Sequence, residues 1–256
     1  MSDELVTFEP SDGVGVLTIC NPPLNVITAA VRGAFALTLD RVRGDPHLRV
    51  LIVTGTGDRS FCAGADLREE EGLNSQTVRD FIEEDRAVYD ALEELAIPVI
   101  AAVNGYCMGG GLELALSCDI RISAEEAKFC AAGVKIGLVA STTRLTHLFG
   151  PAAAKDIALT ARTFDGFEAA RLGLVSKAVP RAQLMQEARE WAQMIADRAP
   201  LAVARTKQAI HEAAELPFAE AMKRELDHFA DLSATEDHRH AIVSFFRREQ
   251  PVFHGR

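Results

Sequence analysis

The chain has 256 residues, 48% of them hydrophobic, which suits one domain with a substantial core or one domain with a smaller appendage. Its formal net charge of −10, with no block of Lys or Arg, argues against a nucleic-acid backbone as partner. No apolar run is long enough to span a bilayer, and MSDELVTFEP lacks the basic start and apolar stretch of a signal peptide, so a cytoplasmic protein away from membranes is expected.

Residues 4–20 read as two strands joined by a turn at Ser11-Asp12-Gly13, and Asn21-Pro22-Pro23 ends the second strand. The spacing of Val31, Phe35, Leu39 and Val42 predicts a helix over 28–43, capped by Thr28 and stopped by Gly44 and Pro46. RVLIVT (49–54) reads as a short buried strand. Val78, Ile82, Val88, Leu92 and Leu95 mark a helix over 76–95, VIAAV (99–103) another buried strand, and DIRIS (119–123) a further one after a helix that starts near Gly109. Strand–helix units therefore repeat up to about residue 125, as in a parallel sheet, although no internal sequence repeat is evident. From Thr142 onward the pattern is nearly all helical, with periodic stretches at 181–197, 200–215, 217–230 and 235–247. The fold class is α/β. Cys20, Cys62, Cys107, Cys118 and Cys130 form no CxxC pair and lie in apolar or glycine-rich stretches, which fits reduced, buried thiols and no metal cluster.

Two stretches carry chemistry. In NGYCMGGGLELAL (104–116), Gly109-Gly110-Gly111 follows a buried strand and opens a helix. The first N–H groups of a helix lack partners, and glycine lets another molecule approach them, so an oxygen bearing negative charge can be held there. A tight turn that needs positive φ explains the same glycines equally well. In FCAGADL (61–67), Ala63-Gly64-Ala65 forms a second small-residue turn after the strand at 49–54. Two N–H groups converging from separate turns would make an oxyanion hole. Glu113 lies three residues beyond Gly110, on nearly the same helical face. Either it serves the site or it points to solvent.

FCAGADL followed by IPVIAAVNGYCMGGGLELALSCDIRI resembles the crotonase superfamily, the enoyl-CoA hydratase/isomerase family. Leu24-Asn25, FDGFEAARLGLVSKAVP (164–180) and the closing SFFRREQPVF extend the resemblance over essentially the whole chain. It implies a spiral of ββα units over 1–195 and a C-terminal helical region over 196–256 that builds a homotrimer or a dimer of trimers. The implied substrate is an acyl-CoA thioester, with no metal or redox cofactor. By motif position, Ala65 and Gly110 would supply the two N–H donors to the thioester carbonyl, and Glu113 would be a catalytic acid/base. Burial of Glu113 among Leu112, Leu114 and Leu116 would suit proton transfer. Ala63, Leu24 and Leu67 match positions near adenine and pantetheine, and Gly64 and Gly109 belong to the same two turns. Arg68 matches a basic position near the CoA phosphates, and Asp66 a brace for its own loop. Phe229 and Arg248 fall where the C-terminal region lends an aromatic and a basic group, often from a neighbouring subunit.

The pattern breaks in FCAAGVKIGLVASTTRL (129–145). Aligned on Phe129 and Gly137, the position of the family's second catalytic glutamate is Gly133, the preceding proline is Ala132, and Ser141-Thr142-Thr143 replaces a longer glycine-rich turn. Lys135, Ser141, Thr142 or an acid of Glu69-Glu70-Glu71 could substitute for it. A hydratase or an isomerase, a decarboxylase of malonyl-type thioesters and a non-catalytic acyl-CoA binder all remain compatible with the sequence.

Overall fold

A computed structural model describes residues 4–256. In chain order its elements are β1 (Val6–Ser11), β2 (Val14–Ile19), α1 (Ala29–Gly44), β3 (Val50–Gly55), β4 (Ser60–Cys62), α2 (Leu67–Glu70), α3 (Thr77–Glu93), β5 (Val99–Val103), β6 (Tyr106–Met108) and α4 (Gly110–Leu116). There follow β7 (Ile120–Ala124), β8 (Lys128–Cys130), α5 (Thr142–Thr160), β9 (Phe164–Asp165), α6 (Gly166–Arg171), β10 (Lys177–Val179), α7 (Leu184–Ala196), α8 (Pro200–Glu215), α9 (Phe218–Ser233) and α10 (Glu236–Arg247).

The local chemistry that predicts the early elements is in place. Asp12 and Gly13 both take positive φ in the β1–β2 hairpin. The Thr28 side chain accepts from Val31 N–H at 3.2 Å and caps α1, whose Val31, Phe35, Leu39 and Val42 are buried. In α3 the inward face differs from the apolar count. Ile82 is half exposed, while Asp85 and Tyr89 turn inward with Phe81, Val88 and Leu92. The last third is not purely helical, because β10 forms the edge of the main sheet and β9 pairs with β8. Helix α5 is kinked at Gly150, just before Pro151.

The main sheet has the order β1-β2-β3-β5-β7-β10, and a smaller sheet has the order β4-β6-β8-β9. Three successive units each give one strand to each sheet: β3 then β4, β5 then β6, β7 then β8. That alternation is the spiral of ββα units, and it repeats in space without repeating in sequence. β3, β5 and β7 are joined by parallel pairing and are buried along most of their length, which is why β3 and β5 read as apolar runs. Helix α7 packs across β2, β3, β5 and β7 and seals the core with Leu184, Ala188, Ala192 and Ala196. By contrast, α8 and α9 bury no residue fully and pack on one another.

The smaller sheet positions the site. β4, β6 and β8 are parallel neighbours, so their C-terminal ends lie side by side. The residues just beyond those ends are Ala63-Gly64-Ala65, Gly109-Gly110 and Ala131-Ala132-Gly133. Ligands of parallel sheets bind beyond the carboxyl ends of the strands. The three stretches singled out in the sequence are thus brought together by one structural rule.

Candidate active site

The first turn is fixed by its neighbours. Ala63 N–H donates to Leu24 C=O at 3.0 Å, and Ile27 N–H donates to Gly64 C=O at 2.8 Å. The Asn25 carboxamide donates to Thr56 and Ser60 carbonyls, and Ser60 Oγ donates to Leu24 C=O, so the Leu24-Asn25 segment is stitched to the start of β4. Gly64 has φ +96°, and a β-carbon there would lie 2.9 Å from both Gly110 N and Met108 O. A glycine is needed on both counts. The second turn is held by Gly109 N–H donating to Cys130 C=O at 3.0 Å, which ties β6 to β8.

Ala65 N–H and Gly110 N–H have no acceptor within the chain among the described residues. They belong to two turns in direct backbone contact. The point where a β-carbon on Gly110 would stand is 3.4 Å from Ala65 N and 3.3 Å from Gly64 Cα. Two unpaired donors on adjoining turns are what an oxyanion hole would draw on.

Glu113 sits in the first turn of α4, and its surroundings differ from the apolar ones expected. Its carboxylate accepts from Arg144 Nη1 at 3.0 Å. Arg144 comes from the first turn of α5 and also binds Asp90 at 2.7 Å and Glu93 at 2.8 Å, both on α3. Three carboxylates around it drive the Arg144 guanidinium pKa up against the opposing effect of burial. The sequence reading missed Arg144. Nothing in a helical pattern distinguishes an arginine that turns inward from one on the surface, and only the end-on meeting of α4 and α5 makes it a partner.

The other expected residues fall into two groups. Asp66 caps α2 by accepting from Arg68 N–H and pairs with the Arg68 guanidinium at 2.6 Å. That pairing holds the Asp66 carboxyl below its usual range and raises Arg68. Leu67 and Arg68 are exposed at the mouth of the first turn. Phe229 on α9 and Arg248 at the end of α10 are exposed, and no hydrogen bond or ion pair links either to the two turns among the described residues.

Among the substitutes for a second acid, Glu69 is committed elsewhere. It accepts from Ala29 N–H at 2.9 Å and pairs with Arg32 at 3.3 Å, docking α2 on the start of α1. Lys135 and Thr142 are exposed. Ser141 is buried in a left-handed conformation, with its hydroxyl unpaired among the described residues. At Gly133 a β-carbon would stand 2.9 Å from Ala140 N and from Leu138 O, so the backbone as folded has no room for a side chain. No group of His, Cys, Asp and Glu suited to a metal ion occurs among the described residues, and no described helix is long and apolar enough to cross a membrane.

Comparison with known proteins agrees with this geometry. The family model described as Enoyl-CoA hydratase/isomerase matches residues 9–256. The chain is 36% identical over 249 residues to a short-chain-enoyl-CoA hydratase of Clostridium acetobutylicum, covering 96% of this chain and 95% of that one. It is 35% identical over 257 residues to a crotonyl-CoA hydratase of Syntrophomonas wolfei, covering 99% of each. Among solved structures, the enoyl-CoA hydratase of Bacillus anthracis superposes with a TM-score of 0.95 at 31% identity, covering 98% of this chain and all of that one. The spiral of ββα units, the two small-residue turns and this full-length similarity place the chain in the enoyl-CoA hydratase/isomerase family of the crotonase superfamily.

Proposed function

We propose that the chain is an enzyme that binds an enoyl-CoA thioester, polarises its carbonyl between Ala65 N–H and Gly110 N–H, and moves protons with Glu113. The observation that carries this reading is the pair of unpartnered donors on adjoining turns, with a carboxylate in the helical turn that follows. Negative charge that develops on the thioester oxygen gains two fixed hydrogen bonds there without reorganisation, so the enolate is stabilised more than the ground state. Arg144 takes one side of the Glu113 carboxylate and leaves the other side for a water or an α-carbon proton. Leu24 and Ala63, tied by their backbone hydrogen bond, and exposed Leu67 and Arg68 form the edge along which the pantetheine and nucleotide would lie. The residues involved need no metal or redox group for this chemistry.

In this reading a neighbouring copy supplies Phe229 and Arg248 to the CoA. Phe218, Leu226 and Phe229 leave α9 with a broad uncovered apolar face, which fits assembly as a homotrimer or a dimer of trimers. The 1–195 segment then acts as the core and 196–256 as the assembling region.

The closed backbone at Gly133 favours a second reading, decarboxylation of a malonyl-type thioester, which relies on the oxyanion hole and has no use for a second carboxylate. The test is incubation of the purified protein with crotonyl-CoA, following loss of the conjugated thioester absorbance, with Glu113→Gln alongside and malonyl-CoA in parallel. Turnover of crotonyl-CoA that Glu113→Gln abolishes supports the first reading. Carbon dioxide release from malonyl-CoA without crotonyl-CoA turnover supports the second.

A further inference from the structure

The turn that carries Ala65 is backed by an ionic clasp. Ala65 forms an isolated parallel bridge with Ile27: Ile27 N–H donates to Gly64 C=O at 2.8 Å, and Asp66 N–H donates to Ile27 C=O at 3.4 Å. Both bonds belong to the residues that flank Ala65, so the Ala65 N–H itself points away from Ile27. Two residues beyond Ile27 α1 begins, and two beyond Ala65 α2 begins. There the two segments meet again. The two oxygens of the Glu69 carboxylate accept from Ala29 N–H at 2.9 and 3.2 Å, and one of them pairs with Arg32 at 3.3 Å. Helix α2 is four residues long and buries none of them, so its seat is this polar one.

Arg32 is buried on α1. Its guanidinium lies 4.9 Å over the Phe81 ring, 3.5 Å from Glu84 and 3.9 Å from Asp85, all on α3. One cation of α1 therefore gathers α2 and α3. The same α3 holds the other half of the site, because Asp90 and Glu93 pair with Arg144, which pairs with Glu113. At 1.5 Å per residue the two arginines grip α3 about 12 Å apart. Arg32 Nη1 has no hydrogen-bond acceptor among the described residues. Burying such a group is a poor way to gain stability, whereas a rigid planar fork is well suited to fixing the carboxylates around it.

We propose that Arg32 and Glu69 are positioning residues for the Ala65 N–H donor: they fix α2 to α1 and α3 and so set where that N–H points. This rests on the acyl-CoA reading above. Neither residue touches the substrate. Without the clasp, α2 comes free and the turn pivots on its one remaining brace, the bridge at Ile27. The bond from Ala65 N–H to the thioester oxygen then lengthens. Gly110 N–H keeps its place, because the second turn is tied to β8 through Cys130 and not to α2. Arg144 holds the Glu113 carboxylate from the far end of α3, so its loss leaves the Ala65 donor where it is.

The test reads carbonyl polarisation directly. Butyryl-CoA carrying a 13C thioester carbonyl is bound to the full-length protein, and its C=O stretch is measured by isotope-edited infrared spectroscopy. The stretch is expected to fall on binding to the wild type, to move part of the way back in Glu69→Ala and Arg32→Met, and to stay low in Arg144→Met. Arg32→Lys should recover part of the fall. Turnover of crotonyl-CoA by Glu69→Ala should lose on the order of tenfold in kcat with KM little changed, less than the hundredfold that a displacement of about 1 Å can cost, because the Ile27 bridge remains. The Glu69 side chain is 30% exposed, so Glu69→Ala is the milder change and carries the test if Arg32→Met fails to fold. A lowered stretch that Glu69→Ala leaves unaltered, or one that Arg144→Met reverses to the same extent, overturns the role of the clasp and leaves the acyl-CoA reading intact. Bound butyryl-CoA with an unshifted stretch in the wild type overturns the reading on which the inference rests.

Discussion

Removal of Arg144 is the most informative single change, because three acids pair with one cation. The Asp90 and Glu93 side chains are 35% and 43% exposed, so their pairings are partly screened and contribute about 0.5 kcal/mol each. Glu113 and Arg144 are 16% and 17% exposed. Breaking a fully buried pair costs about 3–5 kcal/mol, and the partial access of water here reduces that to roughly 1–2 kcal/mol. Arg144→Met is therefore expected to destabilise the fold by roughly 2–3 kcal/mol. For a chain of this size that is a fall in Tm of about 4–12 °C, measured at fixed protein concentration. Turnover of crotonyl-CoA should fall more than stability implies, because the Glu113 carboxylate loses its anchor. A displacement of about 1 Å at a reacting group can cost on the order of a hundredfold. The loss should appear in kcat with KM little changed. Arg144→Lys should recover part of the stability, since a lysine is a point charge that cannot fork to three carboxylates. An Arg144→Met protein that melts with the wild type and keeps its kcat would show that Arg144 does not hold Glu113.

Other consequences follow from the same contacts. Gly111→Ala would place a β-carbon 1.9 Å from Cys62 C=O, a backbone atom that cannot move aside, so α4 must shift away from β4. A loss of roughly 2–4 kcal/mol in chemical denaturation, together with loss of activity, is expected. Gly133→Glu should not simply add an acid, because its β-carbon meets the backbone of residues 138 and 140. Thermal unfolding should show a lower Tm and crotonyl-CoA turnover should not rise; a gain in rate at unchanged Tm would contradict the packing argument. Burial pushes the Cys62 and Cys118 thiols up to about 12. Between pH 9 and about 12 the unfolded thiols ionise while the folded ones keep their protons, so stability falls as pH rises through that window. Denaturation midpoints from pH 8 to 10.5 should decline, and Cys118→Ala should flatten the decline. In the native state at pH 8 a thiol reagent should modify Cys20, which is partly exposed, well before the buried four.

The elements legible in the sequence are those whose signal is local. Thr28 announces α1, Asp12-Gly13 announces the first hairpin, and the apolar runs of β3 and β5 announce a sheet buried on both faces. β4, β6 and β8 have three residues each, too few for any periodicity to register, yet they align the three turns of the site. The turns themselves stood out because small residues are required where backbones approach closely, as at Gly64 and Gly110. The partner of Glu113 does not stand out in this way. Arg144 reaches Glu113 from α5, 31 residues further along the chain, and a helical pattern reports which face is apolar but not which polar residue turns inward. The amphipathic count for α3 favoured Ile82, and the buried Asp85–Tyr89 pair overrode it through a side-chain hydrogen bond.

The central claim is that Ala65 and Gly110 stabilise an enolate while Glu113 moves the proton. Exchange of the α-protons of butyryl-CoA in deuterated buffer, followed by mass spectrometry, tests it without assuming hydration or isomerisation. The account predicts deuterium entering the α-carbon with the wild type and exchange at the uncatalysed rate with Glu113→Gln, while both proteins bind butyryl-CoA. Exchange that persists in Glu113→Gln, or a wild type that binds butyryl-CoA without exchanging it, would contradict the account.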